Sequence, residues 1–294
     1  MNTSEKQWPK ITIVTPSYNQ GAFLEETILS IVNQNYPNLE YIIIDGGSTD
    51  NSVDIIKKYE KHINYWVSEK DFGQSHAINK GFSRATGAIL NWINSDDVLR
   101  ENALSTIAEA YLKRENDSVI IIGNGYEIDE NSKIISERHV EKDENSTSSL
   151  KIKGRPIQQS IFFSKTVLSE SGGINPLLKF PMDIELYYKF GYLNPEIIMV
   201  PEYLGCFRKH ATSKTISQDY KMLLEKINLI KYLAYYSENP KEYLKQIGSY
   251  IAIYSFENIP FKQRWYLFKE FLKVTDFNKK NGYKFKAVLR KIIK

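Results

Sequence analysis

The run Ala88-Ile89-Leu90-Asn91-Trp92-Ile93 is apolar enough for a buried β-strand, and it delivers Asn94-Ser95-Asp96-Asp97 to the loop that follows. Two adjacent carboxylates at the lip of a sheet repel each other, and a divalent cation that prefers oxygen ligands relieves the repulsion. Such a cation in turn recruits phosphate. The plainer reading of this tetrapeptide is a solvated turn in which Asp96 or Asp97 caps a helix starting near Glu101. Three other polar segments stand in the same relation to a preceding apolar run: Pro16-Ser17-Tyr18-Asn19, Asp45-Gly46-Gly47-Ser48-Thr49-Asp50 and Glu69-Lys70-Asp71.

The elements that would position these loops alternate. Lys10 to Thr15 reads as a β-branched strand, and Ala22 to Val32 follows with Phe23, Thr27, Ile28 and Ile31 near helical period. Leu39 to Ile44 precedes a helix over Asp50 to Tyr59, Ile63 to Ser68 precedes Gln74 to Arg84, and Ala88 to Ile93 precedes Glu101 to Arg114. Alternation of this kind predicts a mostly parallel α/β sheet sandwiched by helices. Right-handed crossovers then gather all four polar loops on one edge, where ligands bind in open sheets. Beyond Val119 to Ile122 the pattern predicts a hairpin around Glu130-Asn131-Ser132, a polar mobile stretch over Lys142 to Ser149, and a strand over Gln159 to Ser164. A short helix stopped by Gly172-Gly173 and a helix over Asp183 to Phe190 come next.

At 294 residues the chain can bury a substantial core. Its single cysteine, Cys206, excludes an internal disulfide and a cysteine-based zinc site, and reads as a small buried apolar residue in a reducing compartment. No cationic start with an apolar stretch opens the chain, and its longest apolar runs are strand-sized, which predicts a cytoplasmic protein without a membrane span. The net charge of +4 is uneven: residues 260–294 hold eleven Lys and Arg against Glu270 and Asp276. Within this stretch Phe261, Trp265, Phe268 and Leu272, then Phe285, Val288, Leu289, Ile292 and Ile293, fall near helical spacing among basic residues. Such helices suit either an anionic membrane surface or packing on the rest of the protein or a second subunit. No recognition motif for nucleic acid accompanies the basic charge.

In this order, Thr15-Pro16-Ser17-Tyr18-Asn19, Ile44-Asp45-Gly46-Gly47-Ser48-Thr49-Asp50, Gly73-Gln74-Ser75-His76-Ala77-Ile78-Asn79-Lys80-Gly81 and Asn94-Ser95-Asp96-Asp97 resemble a family 2 glycosyltransferase of GT-A fold. Met182-Asp183-Ile184-Glu185-Leu186-Tyr187 and Arg208-Lys209-His210-Ala211-Thr212-Ser213-Lys214 extend the resemblance, which runs from about Lys10 to about Lys214. It implies a GT-A catalytic domain over 1–216, with a nucleotide-sugar half near 8–100 and an acceptor half near 101–216. A helical, basic, amphipathic extension over 217–294 follows.

The resemblance further implies a nucleotide-diphosphate sugar donor, Mn²⁺ or Mg²⁺ on the Asp-x-Asp-like motif, and transfer with inversion to a hydroxyl of a glycan or lipid-linked glycan. Pro16 and Tyr18 would frame the base, Asp45 would accept from an imide N–H such as uracil presents, and Gln74 and Asp96 would complete the nucleotide site. Asp97 with His210 would hold the metal, with Asp96 near the ribose or the metal and the choice between the two acids open, while Arg208, His210 and Lys214 would close over the diphosphate. Asp183 matches the general base. Attachment at the inner face of the cell membrane would suit a lipid-linked acceptor in cell-envelope polysaccharide synthesis, and a homo-oligomer stays open. The chain departs from the family pattern in reading Ser-Asp-Asp where a spaced pair is usual, in His76 where an acid is common, and in Lys189 where Arg is frequent. The competing reading is a catalytically silent protein that binds a nucleotide sugar or a partner. A nucleotidyltransferase or dinucleotide-binding dehydrogenase is disfavoured because no Gly-rich loop follows the first strand.

Overall fold

A computed structural model describes residues 7–144, 150–214 and 219–236, together with positions 266 and 269. The chain divides into two compact units, Met1–Ser213 and Lys214–Lys294. Four strand-and-helix units open the first: β1 (Ile11–Ser17) and α1 (Gly21–Val32), β2 (Leu39–Asp45) and α2 (Ser52–Lys58), β3 (Tyr65–Ser68) and α3 (Gln74–Phe82), then β4 (Ile89–Trp92), a short β5 (Val98–Leu99) and α4 (Ala103–Leu112). After them come β6 (Val119–Ile128), β7 (Ile134–Arg138), β8 (Val140–Lys142), β9 (Ile152–Gly154), β10 (Ile161–Ser164), α5 (Lys165–Glu170), α6 (Met182–Leu193) and β11 (Glu196–Arg208). In the second unit a helix spans Asp219–Tyr236, with Leu223, Ile227 and Ile230 buried at helical spacing. The basic amphipathic runs expected over 260–294 lie outside the described residues apart from Tyr266 and Lys269, as does most of the polar stretch after Lys142.

One nine-stranded sheet dominates, in the order β3-β2-β1-β4-β10-β6-β11-β5, with β7 added to β6. Strands β1 to β4 are parallel, as the alternation predicts; both faces of β1 and β4 and most of β2 are buried, while the edge strand β3 is half-buried, which is why they read as nearly unbroken apolar runs. On one face Ile11, Ile13, Tyr41 and Ile43 meet Leu24 and Ile28 of α1 and Leu104 and Ile107 of α4. On the other, Val14, Ile42, Leu90 and Trp92 meet Ile78 of α3 and Leu186 and Phe190 of α6. Truncating one of these side chains to alanine costs about 2–5 kcal/mol.

The second half is mixed. Strand β10 runs antiparallel to β4 and β6, and β5 antiparallel to β11. Strand β11, 13 residues long and parallel to β6, falls where the sequence predicts none. Pro201 interrupts its pattern, and the strand accommodates it through register shifts between Met199 and Gly205. This strand carries Cys206, buried as expected, its thiol pushed up to about 11 by that burial, and ends on Arg208 at the ligand edge. Among the described residues no helix is long and apolar enough to cross a membrane.

Candidate functional site

The loops after β1 and β2 are stitched together. Asn19, held at φ 51° in the left-handed region that asparagine tolerates, donates its N–H to Ser48 Oγ at 2.8 Å. Its side-chain Oδ1 accepts from the N–H of Thr49 at 2.8 Å, and the N–H of Gly21 donates to Asp50 Oδ2 at 2.9 Å. Tyr18 stands on this base 61% exposed, while Pro16 is buried within β1. Asp45 is fully buried. Its Oδ2 accepts from the N–H groups of Gly47 (3.1 Å) and Ser48 (2.9 Å) and from Ser68 Oγ (2.7 Å), and its Oδ1 accepts from Ser48 Oγ at 2.5 Å. The expected base contact therefore has one route in: Oδ1, whose sole partner in the structure is a hydroxyl that can rotate.

The paired carboxylates after β4 face different environments. Asp97 has no exposure. Its Oδ1 accepts from the N–H of Arg208 at 2.8 Å, and its Oδ2 from Asn94 Nδ2 at 2.9 Å and from Gln159 Nε2. Its main-chain carbonyl accepts from Thr27 of α1 at 2.8 Å. Burial pushes the Asp97 carboxyl well above the usual carboxylate range, with the charge of Asp96 acting in the same direction. In this arrangement three hydrogen bonds from the chain's own donors hold the Asp97 carboxyl inward. Asp96 is the carboxylate at the lip. Its side chain is 20% exposed, and its Oδ2 lies 3.1 Å from His210 Nε2.

His210 is packed against Phe23 with ring centroids 4.5 Å apart, and its Nδ1 lies 2.9 Å from Thr212 Oγ1. When Nδ1 donates to Thr212, Nε2 keeps its lone pair toward Asp96, the tautomer a metal-binding imidazole needs. One carboxylate oxygen and one imidazole nitrogen fit Mn²⁺ or Mg²⁺ when phosphate oxygens and water complete the shell. Among the described residues no group of three or more His, Cys, Asp or Glu gathers to hold an ion without such help.

Helix α3 joins this lip to α6. Gln74 Nε2 donates to Asn94 Oδ1 at 2.7 Å, and the next residue, Ser75, bonds Leu178 O at 2.6 Å and Met182 Sδ at 2.8 Å. Asp183 therefore follows directly on a contact with α3, in the first turn of α6, where the helix dipole favours a negative charge. Burial, and after it the charge of Asp183, push the Tyr187 phenol well above its ordinary value. Glu185 pairs with Lys189 at 2.9 Å, and Lys189 also donates to Gly173 O at 3.0 Å, so this lysine braces a loop.

Of the expected phosphate contacts, Arg208 is fully buried with its guanidinium engaged on all sides, and Lys214 opens the second unit. The sequence reading gave Gln159, Glu26 and Ser132 no role at the site. Thr27 carried a signal: it is a polar residue inside the apolar stripe of Leu24, Ile28 and Ile31, and a buried hydroxyl there needs a partner.

Comparison with known proteins accords with this arrangement. The glycosyltransferase GlyG of Streptococcus pneumoniae is 36% identical over 123 residues, covering 41% of this chain and 40% of the relative. The putative teichuronic acid biosynthesis glycosyltransferase TuaG of Bacillus subtilis is 35% identical over 109 residues, covering 36% of this chain and 43% of the relative. The matches thus span less than half the length of these relatives. Staphylococcus aureus TarS 1-349 superposes with a TM-score of 0.65 at 17% identity, over 90% of this chain and 80% of that one. The mannosyltransferase PcManGT of Pyrobaculum calidifontis, in complex with GDP-Man and Mn²⁺, gives 0.57 at 14% identity over 98% and 88%. At such identities the likeness establishes the fold, which is of the GT-A type. Residues 12–172, more than half of the chain, match the family described as Glycosyl transferase family 2, and the chain belongs to that family.

Proposed function

We propose that the chain is a metal-dependent, inverting glycosyltransferase that moves a sugar from a nucleotide-diphosphate donor, a UDP-sugar, to a hydroxyl of a glycan or lipid-linked glycan. The observation that carries this reading is the pairing of Asp96 with His210 at 3.1 Å on the edge where the loops of four parallel strands converge. TarS 1-349 has a structure in complex with UDP, which supports a uridine diphosphate donor, and PcManGT with GDP-Man and Mn²⁺ supports use of a divalent cation. TuaG, by its name, supports a place in the synthesis of a surface polysaccharide.

The residues divide the labour as follows. Tyr18 stacks on the base above Pro16, and Asp45 accepts the imide N–H once the Ser48 hydroxyl turns away. Gln74, through Asn94, holds the loop that carries Asp96. Asp96 and His210 would hold the divalent cation, which would supply neutralisation of charge on the departing diphosphate. Asp183 takes the proton of the acceptor hydroxyl as its oxygen bonds to the anomeric carbon and the bond from that carbon to the phosphate oxygen breaks. A single displacement needs only this one base, and it inverts the centre.

Calorimetric titration of the purified protein with UDP, GDP and CDP, with and without Mn²⁺, tests the reading. UDP binding that requires Mn²⁺ supports it. Absence of cation-dependent binding of any of the three contradicts it and favours a partner-binding protein on a transferase fold.

A further inference from the structure

Arg208 was expected to reach for phosphate, yet it has no exposure at all, a place where a cation persists only with its donors met. Its Nε donates to the main-chain carbonyl of Asp96 at 2.7 Å, and its Nη2 to Glu26 Oε2 of α1 at 2.6 Å. Its Nη1 donates to Ser132 Oγ at 2.9 Å and to the carbonyl of Asp129 at 3.2 Å, both in the turn between β6 and β7. Ser132 in turn donates to the other oxygen of Glu26 at 2.6 Å. The ring of Phe23 lies 5.1 Å from the guanidinium, and the same ring packs on His210. Through its own N–H, Arg208 also fixes Asp97.

We propose that Arg208 is a positioning residue for the cation site rather than a diphosphate ligand. Its side chain grips the backbone of Asp96, its main chain leads to His210 two residues on, and Phe23 braces both, so this one residue sets the spacing of the carboxylate and the imidazole. Withdrawing the guanidinium toward a phosphate would strip the carbonyl of Asp96 of this donor and leave Glu26 and the carbonyl of Asp129 held by Ser132 alone. A lysine cannot replace it, because one ammonium cannot serve acceptors on opposite sides of a planar fork. The inference rests on the cation-dependent reading above and goes beyond it in tying the site to α1 and to the β6–β7 turn, through Glu26 and Ser132.

The test uses the full chain and three variants, Arg208→Lys, Glu26→Gln and Ser132→Ala. Mn²⁺ affinity in the presence of UDP is followed by the electron-spin signal of free Mn²⁺, UDP affinity without metal by calorimetry, and folding by circular dichroism. The expected result is that Arg208→Lys weakens Mn²⁺ binding about 10- to 100-fold, with UDP affinity in the absence of metal held within about twofold. Glu26→Gln and Ser132→Ala shift Mn²⁺ affinity in the same direction by less. Loss of UDP affinity to the same degree with and without Mn²⁺ would mark Arg208 as a phosphate ligand and overturn the proposal. If Arg208→Lys does not fold, the two milder variants decide, and unchanged Mn²⁺ affinity in both overturns it. Wild-type protein without any Mn²⁺-dependent UDP binding removes the transferase reading and this role together. Wild-type dependence that Arg208→Lys retains in full removes this role alone.

Discussion

The floor of the crevice and its lip use the same residue type for different ends. On the floor, Asp45 and Asp97 are fully buried and accept four and three hydrogen bonds from their own chain. At the lip, Asp96 and Asp183 are partly exposed, one opposite an imidazole and the other on the first turn of a helix. A carboxylate held mostly from within organises its loop, and Asp45 keeps Oδ1, with only the rotatable Ser48 hydroxyl on it, for the base in the proposed role. A carboxylate at the partly exposed edge can meet a cation or a proton. The acids of the motifs are therefore not interchangeable, and Asp96 and Asp97, although neighbours in sequence, belong to different parts of the machine.

The largest effect should come from the lip. Asp183→Asn is expected to lower kcat about 10²- to 10⁴-fold while leaving UDP affinity and thermal stability near wild type, since a general base acts in the chemical step. Steady-state kinetics beside a UDP titration checks this; equal losses in turnover and in donor binding would place Asp183 in the donor site. The floor should answer in stability. Asp97→Ala leaves the donors of Arg208, Asn94 and Gln159 unpaired in the interior, and chemical denaturation should read a loss of about 2–4 kcal/mol. A fully stable Asp97→Ala would erase the distinction between floor and lip.

A third kind of carboxylate sharpens the contrast. Glu127, on the sheet beside the site, is lashed to Lys209 at 2.8 Å and to Arg138 at 2.5 Å. Burial alone would raise its carboxyl, but hydrogen bonds from Lys209, Ser136 and Arg138 outweigh it and carry the value down to about 2. Because the folded-state value lies below the unfolded one, this contribution is complete above about pH 4.5 and is lost as pH falls toward 2. Its size at neutral pH is about 2–3 kcal/mol. Glu127→Gln should therefore flatten the acid limb of a stability-against-pH curve, with Mn²⁺ and UDP binding unchanged. A variant with the wild-type acid limb would show that the ion pairs contribute nothing net. The smallest effect is expected from Ser48→Ala. It frees Asp45 Oδ1 of its one partner at the cost of a stitch to Asn19, so UDP binding should change by less than about tenfold, against near abolition in Asp45→Ala.

Much of this organisation was legible in the sequence, and the reasons differ by region. Strands β1 to β4 are covered by helices on both faces, so each is an apolar run ended by polar residues, and the helices between them keep their period. Strand β11 was hidden because Pro201 and Gly205 break the pattern that a regular ladder would impose, and its bulges absorb both. The strand is long because β6 is long, which is a property of the pair. The inward turn of Asp97 was hidden for a related reason. Which of two adjacent side chains turns inward depends on donors from Gln159 and Arg208, 62 and 111 residues away. Arg208 likewise reads as a surface base among Lys209 and His210 until Glu26, 182 residues earlier, is found beside it. Local spacing carries local structure, whereas closure of the site is made by contacts of this range.

The most direct test sets Asp96→Ala against the wild-type protein in a UDP titration with and without Mn²⁺, each accompanied by a thermal melt. The account predicts a wild-type melting temperature for Asp96→Ala, with the Mn²⁺-dependent part of UDP binding weakened by about 10- to 100-fold. An Asp96→Ala protein that binds UDP and Mn²⁺ as the wild type does would contradict the placement of the cation at the lip.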